Sequence, residues 1–349
     1  VLSIDDSALA LVAKMSPNLH KLKLKSCRAI TDAGLEHFSK ACPSLRKLSC
    51  SSCGFGAIGL NAIVLNCGDL EDLSVKRFKR LLENPPLDAI ASGKGKLRRL
   101  SLKDVCNAQF FGTLISSAKG LRSLVLVRNP GYWDHLFTAV SGSLGELSEL
   151  RCDSLHMGDT ALLALSKACK KLEVLYLVKP PLSSSSSECT GHGLGALFAG
   201  CGASLKRVYL DDRRSGRLGD AGFLSMAKNC KELKDLILIG VNASRGSLLE
   251  VASGCTALQR MALCHADSIG DAEIRGIGSR ASSLKKLCIK NCPVSDHGLA
   301  SALLAGSGGF PGLVKLKVKK CAHVSRAGVS WLRAARTDLV VSMDDHDPP

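Results

Sequence analysis

The chain has 349 residues, a net charge of +16 and 16 cysteines, and 46% of its residues are hydrophobic while only 4% are aromatic. Such a composition supports a large core that does not depend on large rings. No apolar run approaches the ~18 to 20 residues that a membrane helix needs, and no secretion signal opens the sequence. The many cysteines therefore favour reduced thiols, and we expect the protein in the nucleus, the cytoplasm or both.

The first residues have the pattern of a helix. The segment Ile4-Asp5-Asp6-Ser7-Ala8-Leu9 resembles helix starts that recur further along the chain. We therefore expect residues 1–18 to be the helical half of a repeat, so that the chain begins in mid-repeat.

From residue 19 onward, the pattern L-x-x-L-x-L recurs twelve times, with another apolar residue in some leucine places. Successive first leucines are 24 to 33 residues apart, and nearly all these spacings match the ~20 to 29 residues of leucine-rich repeats. Each copy predicts a short strand followed by a turn and a helix. The copies are Leu19/Leu22/Leu24, Leu45/Leu48/Cys50, Leu70/Leu73/Val75, Leu97/Leu100/Leu102, Leu121/Leu124/Leu126, Leu147/Leu150/Cys152, Leu172/Leu175/Leu177, Leu205/Val208/Leu210, Leu233/Leu236/Leu238, Leu258/Met261/Leu263, Leu284/Leu287/Ile289 and Leu313/Leu316/Val318.

The predicted helices begin with a recurrent motif, seen in Thr31-Asp32-Ala33-Gly34 and Ser295-Asp296-His297-Gly298. The hydroxyl or carboxylate is expected to accept hydrogen bonds within the first turn of its own helix, and the acid suits the positive end of the helix dipole. The sequence thus predicts an α/β leucine-rich-repeat solenoid, or horseshoe, over residues 1–337, with a parallel concave sheet, convex helices and cysteine-containing repeats. Residues 338–349 are expected to form a partial last strand and a disordered acidic tail.

Twelve of the sixteen cysteines fall at positions that recur from repeat to repeat. We interpret them as small buried hydrophobes rather than metal ligands, and we predict no metal site. The nine histidines are scattered, and no nucleotide-binding loop or hydrolase motif is present. We therefore predict neither a catalytic residue nor a cofactor. The recurrent cysteines are Cys42, Cys67, Cys169, Cys201, Cys230 and Cys255 near helix ends, Cys27, Cys53, Cys292 and Cys321 in turns, and Cys50 and Cys152 in strands.

The residues between the leucines should line the concave face, because side chains alternate along a strand. This face is basic at both ends and apolar in the middle, which favours a protein partner whose buried anchors are apolar and whose orientation is set by charge. A solvated face and a β-branched stack without a partner are the plainer alternatives. The candidate partner-binding residues are the anchors Tyr176, Tyr209, Ile237 and Ile239 and the basic residues Lys21, Lys23, Lys25, Lys315, Lys317 and Lys319.

The basic ends could also hold a polyanion, such as an inositol phosphate or a nucleic acid. No motif supports an inositol phosphate. The lysines are not interleaved with aromatic residues that could stack on bases, and no nucleic-acid-binding signature is present. We therefore expect no nucleic-acid partner and no membrane partner.

Some segments are more specific than the general repeat pattern, namely residues 236–243, 269–274, 292–296 and 313–321, together with 73–77 and 132–134. With these segments, the cysteine-containing repeats and their D-A-G-L helix starts resemble those of F-box proteins, and the resemblance extends to the plant VIER F-BOX group with its Skp-interacting-partner-like members. It implies the non-catalytic, target-binding region of an SCF-type E3 ubiquitin ligase, which directs proteins to proteasomal degradation. Skp and cullin would bind through an F-box, which these residues lack and which we expect before Val1. The alternative is an F-box-free scaffold or inhibitor.

Overall fold

The computed structural model describes residues 4–78, 90–179, 189–213, 218–241, 243–304 and 309–343. It divides into two compact units, Val1–Leu172 and Glu173–Pro349. The predicted tail at residues 344–349 lies outside the described residues. The last described strand ends just before it.

In the described part of the first unit, six parallel strands pair in chain order, each in register with the next. The strands are β1 (Lys21–Lys25), β2 (Lys47–Ser51), β3 (Asp72–Lys76), β4 (Arg99–Lys103), β5 (Ser123–Val127) and β6 (Glu149–Asp153). The helices are α1 (Asp6–Met15), α2 (Asp32–Ala41), α3 (Ala57–Asn66), α4 (Gly112–Ser117), α5 (Asp134–Val140) and α6 (Asp159–Ala168).

The described part of the second unit has the same organisation, with seven parallel strands paired in chain order. The strands are β7 (Val174–Val178), β8 (Arg207–Asp211), β9 (Asp235–Ile239), β10 (Arg260–Cys264), β11 (Lys286–Lys290), β12 (Lys315–Lys319) and β13 (Val340–Met343). The helices are α7 (Gly191–Cys201), α8 (Asp220–Asn229), α9 (Arg245–Gly254), α10 (Asp271–Arg280), α11 (Asp296–Leu304) and α12 (Arg326–Ala335).

The core of each unit lies between its strands and its helices. The second and fourth residues of each five-residue strand are the predicted leucine-type positions, and they are buried, as Leu48 and Cys50 are in β2. The helices add an apolar stripe to the same core, as Leu35 and Phe38 do in α2. The other strand residues form what we call the open face of the sheet. The predicted α/β leucine-rich-repeat fold is confirmed.

Each strand of the first unit is followed by a residue in the left-handed region, with φ between 49 and 59°. This residue turns the chain away from the sheet, and the residue after it points back into the core. In four repeats, two in the first unit and two in the second, the residue after this left-handed position is a cysteine. Its Sγ donates to the carbonyl oxygen of the last strand residue, at 3.4 to 3.5 Å. The recurrent turn position is therefore structural for Cys27, Cys53, Cys292 and Cys321.

The cysteines near helix ends occupy the predicted places. Five of them immediately follow a helix and Cys201 is the last residue of α7, and all six are at most 1% exposed. Burial raises the pKa of Cys67 and of Cys255 to about 12. The thiols of Cys67 and Cys255 are therefore protonated at neutral pH.

The helix-start aspartates do not act as the sequence suggested. Asp271, the first residue of α10, accepts hydrogen bonds from the backbone N–H and the hydroxyl of Ser295, at 2.7 and 2.6 Å. Ser295 in turn caps α11, because its Oγ accepts from the N–H of Gly298. The acid therefore stabilises the start of the next helix rather than its own. We call this contact, from an aspartate at the start of one helix to the residue that precedes the next helix, the aspartate relay. The same relay joins Asp6 to Thr31, Asp32 to Gly56, Asp134 to Gly158, Asp220 to Ser244 and Asp296 to Ser325.

The relay also explains the glycine of the motif. A Cβ at Gly298 would overlap the carboxylate of Asp271, and a Cβ at Gly34 or Gly328 would overlap the equivalent acid of the preceding repeat. The Asp and the Gly of one motif therefore serve two different contacts. The Asp accepts hydrogen bonds from the residue that precedes the helix of the next repeat. The Gly leaves space for the carboxylate of the preceding repeat's Asp.

Candidate functional site

The open face of the second unit consists of three rows of side chains that run across the strands. In the first row Arg207, Asp235, Arg260, Lys286 and Lys315 are in register. The middle row contains Tyr176, Tyr209, Ile237, Ala262, Cys288 and Lys317, and the last row contains Val178, Asp211, Ile239, Cys264, Lys290 and Lys319. Apolar and basic residues thus meet on one surface.

The two predicted tyrosine anchors form a stacked pair. The rings of Tyr176 and Tyr209 lie 4.0 Å apart between centroids and are inclined by 14°. Both side chains are half-buried, and burial together with the neighbouring Tyr176 raises the pKa of Tyr209. Ile237 continues the same row on β9, whereas Ile239 lies in the last row between Asp211 and Cys264. The structure therefore brings three of the four anchors together, and their role in binding stays a prediction.

An ion-pair ladder of Arg207, Asp235 and Arg260 lies beside the anchors, in the first row. Arg207 Nε donates to Asp235 Oδ2 at 3.0 Å, and Arg260 donates to both oxygens of the same carboxylate. The hydrogen bond from Arg260, assisted by that from Arg207, holds the pKa of Asp235 below its ordinary value despite partial burial. One carboxylate thus fixes two guanidinium groups, which retain a net positive charge.

A groove of about 550 Å³ opens next to this ladder, across β8 to β12. Its floor in the middle row is formed by the small side chains of Ala262 and Cys288, with Ile237 on one side and Lys317 on the other. Its rim contains the ladder and the first-row lysines, Lys286 and Lys315. The volume lies within the range of binding pockets.

The basic end of the second unit surrounds this groove. Lys315 is exposed, and Lys317 and Lys319 are half-buried on the same strand. Lys286 lies in register with Lys315, and Lys290 with Lys319. Within the residues that the structure describes, Lys286, Lys290 and Lys315 have no ion-pair partner, so their like charges repel one another without compensation.

The other predicted basic residues lie in the first unit. Lys21, Lys23 and Lys25 are exposed on β1, where Lys21 is in register with Lys47 of β2. The next strands of this open face place Ser49, Ser74 and Ser101 in one row. Along β1 to β4 this surface is basic and hydroxylic, and the half-buried apolar residues Val125 and Val127 follow it on β5.

The sequence analysis missed the groove floor. Ala262 and Cys288 belong to the middle row, but neither residue type stands out as a binding residue. The sequence indicates this floor only by comparison between repeats. Two successive repeats have a small side chain at the middle-row position, where the preceding repeats have tyrosine and isoleucine. Arg260 was missed as well, and its partner Asp235 lies one repeat earlier in the sequence.

Two further observations narrow the kind of site. Among the described residues, no group of three or more histidine, cysteine, aspartate or glutamate side chains is arranged to hold a metal ion. None of the helices in the described ranges is both long and apolar enough to span a membrane. What the open face offers is apolar contact, hydrogen bonding and positive charge.

Comparison with solved structures supports the class of repeat protein that the fold defines. An internalin from Listeria monocytogenes superposes with a TM-score of 0.56, at 13% identity, over 99% of this chain and 90% of its own chain. At this identity the likeness concerns the fold alone. No family model matches the sequence.

Two rice proteins are similar in sequence. A transport inhibitor response 1-like protein of Oryza sativa subsp. japonica is 24% identical over 336 residues, and the match covers 76% of this chain and 57% of that protein. The coronatine-insensitive protein homolog 1a of subsp. indica is 26% identical over 186 residues, or 49% of this chain and 30% of that protein. The chain thus spans little more than half of the longer match. These similarities support a relationship to leucine-rich-repeat F-box proteins but do not extend to the VIER F-BOX group.

Proposed function

We propose that this chain is the target-binding region of an SCF-type E3 ubiquitin ligase receptor, and that it directs bound proteins to proteasomal degradation. The observation that carries the proposal is the open face of the second unit, where a tyrosine pair, a charged ladder and uncompensated lysines lie on one repeat surface. Buried aromatic anchors with a charged surround are typical of protein-binding surfaces. The two rice relatives add support from sequence.

In this proposal the chain is not an enzyme. It positions a target protein, while the Skp adaptor and the cullin bind an F-box outside these residues. The four anchors Tyr176, Tyr209, Ile237 and Ile239 contact the target, and the lysines orient it. The complex works in the nucleus, the cytoplasm or both.

The test is an affinity purification from cells in which cullin activity is blocked, with the chain expressed in its longest natural form. We expect Skp, cullin and a target protein to copurify, and the target to accumulate when the receptor is depleted. A variant with alanine at the four anchors should keep Skp and lose the target. Retention of the target by this variant would contradict the anchor assignment.

Residues 1–349 alone provide a second test, because they should bind the target but not Skp. The alternative function, an F-box-free scaffold or inhibitor, predicts a different result. The longest natural form would then bring down the target without Skp or cullin, and depletion would leave the target's half-life unchanged.

A further inference from the structure

We propose that the groove over β8 to β12 binds an extended acidic peptide segment that carries one large apolar side chain. The proposal rests on the proposed function, since it names the class of target segment that the receptor would take. It is carried by the charge, the shape and the length of the groove.

Charge is the first argument. Among the described residues, those that line the groove include five cations, Arg207, Arg260, Lys286, Lys315 and Lys317, but only one carboxylate, Asp235. That carboxylate is already bonded by both arginines. The register places Lys286 and Lys315, two exposed residues of like charge, opposite each other on neighbouring strands. An anionic partner would relieve this repulsion, and complementary charge would fix its orientation.

Shape is the second argument. The groove floor is apolar and half-exposed at Ala262 and Cys288, and the apolar row continues through Ile237 to the tyrosine pair. An anion without an apolar group would leave this floor in contact with water. Burying a large apolar side chain there should strengthen binding about tenfold or more. The occupant should therefore have both an apolar group and flanking carboxylates.

Length favours a peptide over a small anion. Four strand spacings separate β8 from β12, or about 19 Å, which an extended peptide crosses with about six residues. The strands are interior to the sheet, so their backbone groups are already bonded to neighbouring strands. The peptide cannot add as another strand, and it must be recognised through its side chains.

The probe for a direct test is a fluorescein-labelled peptide, Gly-Ser-Asp-Glu-Phe-Glu-Asp-Ser-Gly, titrated with purified residues 1–349 and followed by fluorescence anisotropy. We expect saturable binding of one peptide per chain. An analogue with serine in place of phenylalanine should bind about tenfold more weakly, because it lacks the buried ring. An analogue with asparagine and glutamine in place of the acids should lose at least as much, because it cannot pair with the lysines.

Variants of the protein locate the site. Ala262→Trp fills the floor without changing charge and should weaken binding about tenfold. The pair Lys286→Glu and Lys315→Glu should weaken it by tenfold or more. The matched control is Lys14→Glu with Lys119→Glu, two exposed lysines outside the sheet, which changes net charge equally and should have less than a twofold effect. Circular dichroism and melting curves must show that each variant is folded.

Several outcomes would overturn the proposal. Equal losses from the two charge-reversal pairs would show that the peptide responds to total charge. Unchanged binding by Ala262→Trp, or equal binding of the serine analogue, would remove the groove as the site. Equally tight binding of an oligonucleotide of the same charge would identify a general polyanion surface. Because no ligase component is present, peptide binding and ubiquitination of a target can fail independently.

Discussion

The aspartate relay makes an unusual prediction for Gly298. Replacing a helical glycine by alanine ordinarily stabilises a helix by about 1 kcal/mol. At Gly298 the new methyl group would overlap the carboxylate of Asp271, which bonds the backbone and hydroxyl of Ser295. Gly298→Ala must displace that carboxylate, so we expect a net loss of stability instead of a gain.

The magnitude follows from the two hydrogen bonds. Since Asp271 is half-exposed, we assign about 2 kcal/mol to its two charge-assisted bonds together. Asp271→Ala should therefore lower the free energy of unfolding by about 2 kcal/mol, and Gly298→Ala by about 1 kcal/mol after its helix gain. In the Asp271→Ala background the overlap is gone, so Gly298→Ala should then be stabilising by about 1 kcal/mol.

Urea unfolding followed by circular dichroism at a helical wavelength measures all four members of this double-mutant cycle. Two controls are available in the same unit. Gly246→Ala in the first turn of α9 meets only an ordinary contact and should be neutral or stabilising. Asp267→Ala removes an exposed carboxylate near α10 that has no hydrogen bond within the described ranges. If Gly298→Ala has the same effect with and without Asp271, the relay does not account for the glycine.

Three further predictions concern buried charge, acid and thiols. Asp212→Ala leaves the buried Lys179 ammonium without the carboxylate 3.3 Å away. In urea unfolding it should lower the free energy of unfolding by about 3 to 5 kcal/mol. A loss below about 1 kcal/mol would contradict a buried ion pair. The folded-state pKa of Asp235 is lowered, so its contribution to stability is complete above about pH 4 and is lost as the pH falls through the folded value. Asp235→Asn should therefore weaken the fall of the melting temperature below about pH 4. Burial raises the pKa of Cys255 to about 12. Mass spectrometry after iodoacetamide treatment at pH 8 should therefore find Cys255 unmodified, whereas the half-exposed Cys288 should react. Modification of both cysteines would mean that α9 opens.

The repeat pattern predicted the strands closely because each leucine position has one consequence, burial against the helices. The recurrent cysteines were placed correctly for the same reason, except that Cys53 is only half-buried. The helix-start aspartate was interpreted within its own helix, but its partner lies 24 residues away in the next repeat, as Ser295 does for Asp271. Local reasoning cannot select a partner at that distance.

The candidate site shows the same limit. Tyr176, Tyr209 and Ile237 could be identified as anchors because large apolar residues at open-face positions are conspicuous in a sequence. The groove beside them depends on what is small, Ala262 and Cys288, and on which strands are in register with them. A groove depends on the larger side chains that surround its floor, so it can be identified only when the rows of side chains across several repeats are known.

The aspartate relay gives each unit a polarity. Every relay in the described ranges runs from an earlier repeat to the next one, so the aspartate cap of a helix start comes from the repeat before it. Loss of structure at the N-terminal side of a unit would remove an aspartate cap from the helix that follows. Loss at the C-terminal side would leave the remaining aspartate caps intact and break backbone bonds, such as the one from the Asp296 N–H to the His323 carbonyl oxygen. Fraying should therefore spread more readily in the direction of the chain than against it.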